Sequence, residues 1–305
     1  MQLSFRWFGA DDTVTLEHIR QIPGMRAVAS AVYDVPVGDV WGIASILKLR
    51  RQIENVGLTF DVVEDIPVHE DIKLGKPERD RYIENFCENI RRTAAAGVKC
   101  ICYNFIPGFE ASGNDERKEL IEAYRLVQDE KLWKNLQYFL DRIIPIAAEC
   151  NVNMAIHADN PGQKMPGLPH LIIGEEDLDR ILSLVNDPHN GLTFCTGSLG
   201  CTGQNDVVRL AAKYAQMGRI HFVHMRNVAA TEHGFEDRAH LSSCGSLDMY
   251  AILKSLHDHG FNGYIGPDRG RMIWGETGCP YGGLYDRALG ATYINGLWEA
   301  IVKSK

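Results

Sequence analysis

The sequence predicts a single (β/α)8 barrel, and three features of the chain carry that expectation. Strand-like apolar runs alternate with amphipathic segments from one end of the 305 residues to the other, the pattern of βα units around a parallel sheet. Eight such units fit a TIM barrel, which takes roughly 250 residues in a typical case. The connections after strands are long and polar, whereas those after helices are short. Active sites of such barrels lie on the face where the strands end.

Read in order, the strands are Leu3 to Trp7, Ala27 to Tyr33, Leu58 to Val63, Val98 to Tyr103, Val152 to His157, Gly191 to Cys195, Arg219 to His224 and Asn262 to Asp268. Each is a short, mostly apolar run of the length a buried parallel strand needs. The helices expected between them are Leu16 to Arg20, Val40 to Asn55, Pro77 to Ala96, Asp129 to Cys150, Glu175 to Val185, Asn205 to Met217, Ser246 to His259 and Leu284 to Val302. Their apolar residues recur at helical spacing, so Trp133, Tyr138, Phe139 and Trp298 read as core. Gly97, Asn151 and Gly260 stand between a helix and the next strand, where a left-handed C-cap is expected. The opposite connections, Glu64 to Lys76, Asn104 to Glu116, Ala158 to Gly174 and Asn227 to Gly245, are rich in Gly, Pro, His and charge, as the loops of a catalytic face are. No linker, low-complexity tract or internal repeat interrupts the pattern, so residues 1–305 are expected to form one domain.

A net charge of -8 offers no basic field to a phosphate backbone, so nucleic acid is not an expected partner. A small metabolite is. No stretch approaches eighteen apolar residues, and Met1 to Gly9 lacks the charged start and long apolar run of a leader, so neither membrane nor export is expected and the cytoplasm is. The eight cysteines include no CxxC pair and mostly sit in apolar patterns, so they are expected to stay reduced. Assembly into a homo-oligomer is an expectation only by analogy with other barrel enzymes.

Four residues of metal-binding type, His157, Cys195, His224 and Asp268, end four strands that follow one another along the chain. Taken singly, a strand-end His is more often a structural hydrogen-bonding residue. Four in succession at one end of a barrel point to a shared ion. Imidazole, thiolate and carboxylate together suit a borderline divalent cation such as Zn, Fe(II), Mn(II) or Co(II), with positions left for substrate. His221 competes with His224, but the two fall on opposite faces of the strand and His224 is nearer the C-terminal end.

Around this set lie residues with two readings each. His69 and Glu70 either cap a solvated loop or serve substrate binding and proton transfer. Asn104 either closes its own turn or holds a substrate hydroxyl. Arg226 and Asn227 follow His224 directly, and Arg6 ends the first strand; a guanidinium there grips a substrate carboxylate or pairs with a loop acid. Asp159 either supports His157 and proton transfer or starts the Asn160-Pro161 turn. Thr196 to Gly200 and Cys279 to Gly283 match neither a P-loop nor a dinucleotide fingerprint, so no nucleotide is expected.

Several segments together resemble the D-mannonate dehydratase family over essentially the whole chain: Arg6-Trp7-Phe8-Gly9, Pro67-Val68-His69-Glu70-Asp71-Ile72-Lys73-Leu74-Gly75, Phe194-Cys195-Thr196-Gly197-Ser198, His221-Phe222-Val223-His224-Met225-Arg226-Asn227 and Gly270-Arg271-Met272-Ile273-Trp274-Gly275-Glu276. The resemblance implies a xylose-isomerase-like TIM barrel that binds Mn(II) or Fe(II) and converts the sugar acid D-mannonate to 2-dehydro-3-deoxy-D-gluconate and water. The family's two His, one Cys and one Asp fall on His157, Cys195, His224 and Asp268. An ion there acidifies the proton next to the carboxylate, and a general acid helps the β-hydroxyl leave.

Two departures touch proton transfer. Pro267-Asp268-Arg269-Gly270-Arg271 stands where Pro-Asp-His-Gly-Arg is expected, so an arginine that keeps its proton near neutrality replaces a candidate acid/base His. Pro280-Tyr281-Gly282-Gly283 stands where Pro-Gly-Tyr-Gly is expected. Smaller differences fall in Phe105 to Phe109 and Ala158 to Pro161. Tyr281, Tyr285, His69 and Asp159 remain as proton-transfer candidates beside the altered position Arg269. A metal-dependent sugar isomerase or epimerase on the same barrel is the rival enzyme, although such enzymes favour carboxylate ligands and Cys195 argues against it. A catalytically silent sugar-acid-binding paralogue is the other, motivated by Arg269.

Overall fold

The computed structural model describes residues 1–108, 114–159, 168–232 and 234–304, the side chains of 114–116 excepted. Its strands are β1 (Gln2–Arg6), β2 (Ala27–Ser30), β3 (Thr59–Val63), β4 (Cys100–Asn104), β5 (Asn153–His157), β6 (Asn190–Cys195), β7 (Ile220–Met225), β8 (Asn227–Thr231), β9 (Gly234–Arg238) and β10 (Tyr264–Pro267). Eight of them pair in parallel and close in the order β1-β10-β7-β6-β5-β4-β3-β2. All eight expected strands are present, each displaced by a few residues at most except the second, which stops at Ser30 rather than Tyr33. Its end is set by the Ser30 hydroxyl, which donates to the Trp7 carbonyl at 2.7 Å.

The helices are α1 (Leu16–Arg20), α2 (Ile43–Asn55), α3 (Glu70–Leu74), α4 (Arg79–Ala95), α5 (Asn114–Arg125), α6 (Asp129–Glu149), α7 (Glu175–Leu184), α8 (Thr196–Gly200), α9 (Val207–Gln216), α10 (Met249–Asp258) and α11 (Leu284–Lys303). Side-chain caps start several of them. Asp206 accepts from the Arg209 N–H and Asp248 from the Ala251 N–H, each at 3.0 Å, satisfying amides that a first turn leaves without partners. Two apolar layers result. Inside the barrel a small plug of Ala29, Val62, Cys100, Cys102, Ala155 and Phe222 fills the space between strands. Between barrel and helices lies the larger core, which takes in Trp133 and Phe139, with Tyr138 and Trp298 packed at its margin.

Regular structure also occupies stretches where none was expected. The connection after β3 contains α3, because His69 accepts the Asp71 N–H at 3.1 Å and Gly75 adopts the left-handed cap at φ 69. Beyond the connection after β4 lies α5, whose Leu120 and Tyr124 are one turn apart and buried. The connection after β7 folds back as the β8–β9 hairpin, with Asn227 opposite Arg238. Phe109, Asn160 and Pro161 lie outside the described residues. No described helix is long and apolar enough to cross a membrane, and all eight cysteines are unpaired.

A candidate metal centre at the barrel mouth

Strand register assembles the centre. Side chains alternate along a strand, so in β5 His157 shares the face of Ala155, and in β7 His224 shares that of Phe222. Ala155 and Phe222 belong to the barrel plug, which sends both imidazoles into the mouth above it. Cys195 pairs with His224 across β6 and β7, and Asn104 with His157 across β4 and β5, so these residues form one layer. Asp268 follows directly on β10, its N–H bonded to the Met225 carbonyl at 2.8 Å. The same alternation turns His221 away from the mouth, where burial lowers its imidazole to about 4.

One donor atom from each of His157, Cys195 and His224 lies within 4.8 Å of the other two. Asp268 stands at the edge of that triangle, with Oδ2 3.9 Å from the Cys195 sulfur and 4.0 Å from His224 Nδ1. Each ring has one nitrogen engaged elsewhere. Nδ1 of His157 is 2.5 Å from the Ala158 carbonyl, which leaves Nε2. Nε2 of His224 is 3.1 Å from Glu64, and its Nδ1 is buried without a hydrogen-bond partner among the described residues. A buried nitrogen in that position, facing a thiol and a carboxylate, is what a cation would satisfy.

Electrostatics favour the ligand forms of Cys195 and Asp268, whereas at His224 Glu64 and Asp268 outweigh burial and raise the imidazole, so an ion would displace a proton there. Burial alone would raise the Cys195 thiol, but the neighbouring His157 and His224 imidazoles hold it well below its ordinary value. The sulfur also accepts the Ser198 N–H at the start of α8, at 3.5 Å. Burial likewise opposes the Asp268 carboxylate, yet His224, Arg226, Arg269 and His157 pull it well below the usual range. Glu64 is held low against its own burial by Arg6 and His224. Two nitrogens, a thiolate and a carboxylate thus fit a borderline divalent ion.

Above the layer opens a cavity of about 510 Å3 whose wall includes Arg6, Arg226, Arg269 and Arg287. Arg226 is almost wholly buried; its Nε donates to Asp237 of the hairpin at 2.5 Å, while Nη2 has no partner among the described residues. Gly197 makes room for it, since a Cβ there would lie 2.5 Å from the arginine Cδ. Arg6 donates to Glu64 at 3.0 Å and reaches Asp65 at 3.5 Å. Asn104 bridges Asp65 and the Ile106 N–H at the cavity wall. Arg269, at φ 60, lies over the ring of Tyr281, 4.3 Å from its centroid, and both line the cavity.

Other expected site residues are placed elsewhere. His69 caps α3 and stacks on Tyr82 with centroids 3.6 Å apart, away from the cavity wall. Glu70 is occupied by Lys73, the Gly108 N–H and the Tyr124 hydroxyl. Asn227 spends its amide on the Ala239 and Leu241 carbonyls, pinning the chain behind the hairpin. Tyr285 packs on Trp274 at the surface. Asp159 is fully buried one layer behind the wall. In turn, Glu64, Asp65, His170 and Arg287 line the cavity without having been expected there. Glu64 ends an apolar run just as the four ligands do, so the same signal could have found it; the other three carry no comparable mark.

Comparison with known proteins shows the family. The family described as D-mannonate dehydratase (UxuA) matches residues 1–120 and 106–305. The mannonate dehydratase of Thermotoga petrophila is 46% identical over 356 aligned positions, covering 100% of this chain and 99% of that protein. As this chain has 305 residues, at least 51 of those positions have no counterpart in it. The crystal structure of mannonate dehydratase from Streptococcus suis superposes with a TM-score of 0.96 at 45% identity, over 100% of this chain and 95% of that one. A xylose isomerase domain protein from Planctomyces limnophilus shares the fold alone, at 14% identity and TM-score 0.62 over 99% and 98% of the two chains. The chain belongs to the D-mannonate dehydratase family.

Proposed function

We propose that the chain performs its family's hydro-lyase reaction, D-mannonate to 2-dehydro-3-deoxy-D-gluconate and water, at the mouth of the barrel, with Mn(II) or Fe(II) held by His157, Cys195, His224 and Asp268. The observation that carries this reading is the strand-end layer, where four donor groups converge and the His224 nitrogen facing them has no other partner among the described residues. When bound, such an ion supplies Lewis-acid polarisation of the sugar acid's oxygens, which makes the proton next to the carboxylate easier to remove.

The chain's own residues supply the rest. Glu64 fixes the His224 ring by taking its Nε2, which keeps Nδ1 turned to the centre. Arg226, held at Nε by Asp237 with Nη2 unfilled, is placed to take the substrate carboxylate. Arg6 and Asn104, held by Glu64 and Asp65, also line the cavity and are assigned to the sugar hydroxyls. A location in the cytoplasm belongs to the same reading and agrees with eight unpaired cysteines.

The test is direct. Protein loaded with Mn(II), its metal content measured, is incubated with D-mannonate and followed by NMR for a 2-keto-3-deoxy acid. A stoichiometrically loaded protein that forms none at high enzyme concentration overturns the proposal.

A further inference from the structure

Elimination from a sugar acid needs a group that takes a proton from carbon, and assigning that group rests on the proposed hydro-lyase reaction. Most titratable side chains on the cavity wall already have fixed partners. His157, His224 and Asp268 face the metal position. Glu64 lies between Arg6 and His224, and Asp65 between Arg6 and Asn104. Arginines keep their protons near neutrality, and one of them, Arg269, stands where the family resemblance leads one to expect a His.

His170 differs from all of these. It reaches the cavity wall from the segment after β5, and neither ring nitrogen has a hydrogen-bond partner among the described residues. Behind it, Nδ1 lies 3.5 Å from Oδ2 of Asp159, a fully buried carboxylate. Asp159 is itself fixed by the Leu171 N–H at 2.8 Å and through its own N–H to the Ile172 carbonyl at 2.9 Å. A structural imidazole so enclosed would fill its nitrogens. A carboxylate behind an imidazole sets its tautomer and stabilises the imidazolium. The 3.5 Å separation is longer than a hydrogen bond, as such pairs often are before substrate draws them together.

We propose that His170, backed by Asp159, is the proton-transfer residue of this chain. Neutral His170 takes the proton from C2 of the sugar acid, and the C–H electron pair becomes the C2–C3 double bond. The C3–O pair leaves with the hydroxyl, which takes the proton from the imidazolium and departs as water. The remaining enol becomes the 2-keto acid by losing its O2 proton and gaining one at C3. No oxidant or reductant enters, and the imidazole ends neutral.

The experiment compares parent, His170→Ala and His170→Gln, each loaded with Mn(II), by keto-acid formation and by calorimetric metal and D-mannonate binding. Loss of the acid–base group is expected to lower kcat about 10²- to 10⁴-fold in both variants, with metal and ligand affinities within about threefold of the parent. Added imidazole restores His170→Ala and leaves His170→Gln, whose side chain fills the gap, unrestored. An active parent with both variants within about threefold in kcat overturns the role of His170 while leaving the elimination standing. A loss of kcat that follows loss of metal, or that imidazole never restores, assigns His170 to structure and overturns the role as well. A loaded parent without turnover overturns the elimination and this role together.

Discussion

Cys195 and His224 are neighbours because β6 and β7 pair residue by residue, whereas His170 and Arg269 reach the same cavity from beyond the ends of β5 and β10. The first arrangement is fixed by backbone hydrogen bonds and by side-chain alternation, which leave little freedom once the barrel closes. The second depends on where long connections return, and a substitution there reshapes the chemistry without disturbing the barrel. On the proposed reading, metal binding and proton transfer are therefore separable in origin. The layer stays intact while Arg269 and His170 alter the proton-handling groups.

Breaking the layer gives the largest effect. In Cys195→Ser a hydroxyl that keeps its proton replaces a thiol that His157 and His224 shift towards the thiolate. Removing one charged partner from a buried set costs about 3–5 kcal/mol, or roughly two to four orders of magnitude in Mn(II) affinity. Calorimetry measures it, and the sulfur-to-metal absorption of the Co(II) form should vanish in parallel. A serine variant that binds Mn(II) as the parent does would place the ion outside the layer and undo the comparison.

The same contrast explains what could be read from the chain. Apolar runs of strand length mark β4 to β7 and β10, and the residue ending each run is placed by the fold itself, so the convergence of His157, Cys195, His224 and Asp268 was legible from position alone. The choice of His224 over His221 follows from alternation and holds in the structure. His170 and Arg287 had no such mark. Arg287 enters the cavity from α11, anchored on the Arg6 and Gly283 carbonyls, contacts that join the two ends of the chain. The β8–β9 hairpin was also hidden, because its Ala, Thr, Glu and Asp residues show little hydrophobic alternation and it is pinned mainly by Arg226–Asp237 and Asn227.

Glu64→Gln sharpens the comparison at a smaller scale. Glu64 extends the strand-end layer by one residue beyond β3 and acts on the centre through His224, 3.1 Å away. The amide keeps the shape but loses the charge that steadies the His224 ring and Arg6. Supporting residues of this kind are worth about 10- to 100-fold in metal affinity, so Mn(II) binding should weaken by that factor with the fold unchanged. Unaltered affinity would show that the register of β7 alone orients His224.

His69→Ala tests the other side of the comparison and gives the smallest effect on chemistry. His69 lies in a segment beyond a strand end, yet its Nδ1 accepts the Asp71 N–H and its ring stacks on Tyr82, so it belongs to the scaffold. Losing the cap and the stack is expected to lower unfolding free energy by about 1–3 kcal/mol while kcat stays within about twofold. The deficit should depend on pH with a definite sign. Burial outweighs Asp71 and Glu70 and lowers this imidazole below its ordinary 6.5, so on acidification the unfolded chain takes up the proton first. The stabilisation is therefore fully present above about 6.5 and declines as pH falls through the interval down to the folded value, and parent and variant should converge there in chemical denaturation. A drop of more than about tenfold in kcat with metal binding intact would return His69 to the chemistry and show that a loop residue can serve the site through α3 rather than from the cavity wall.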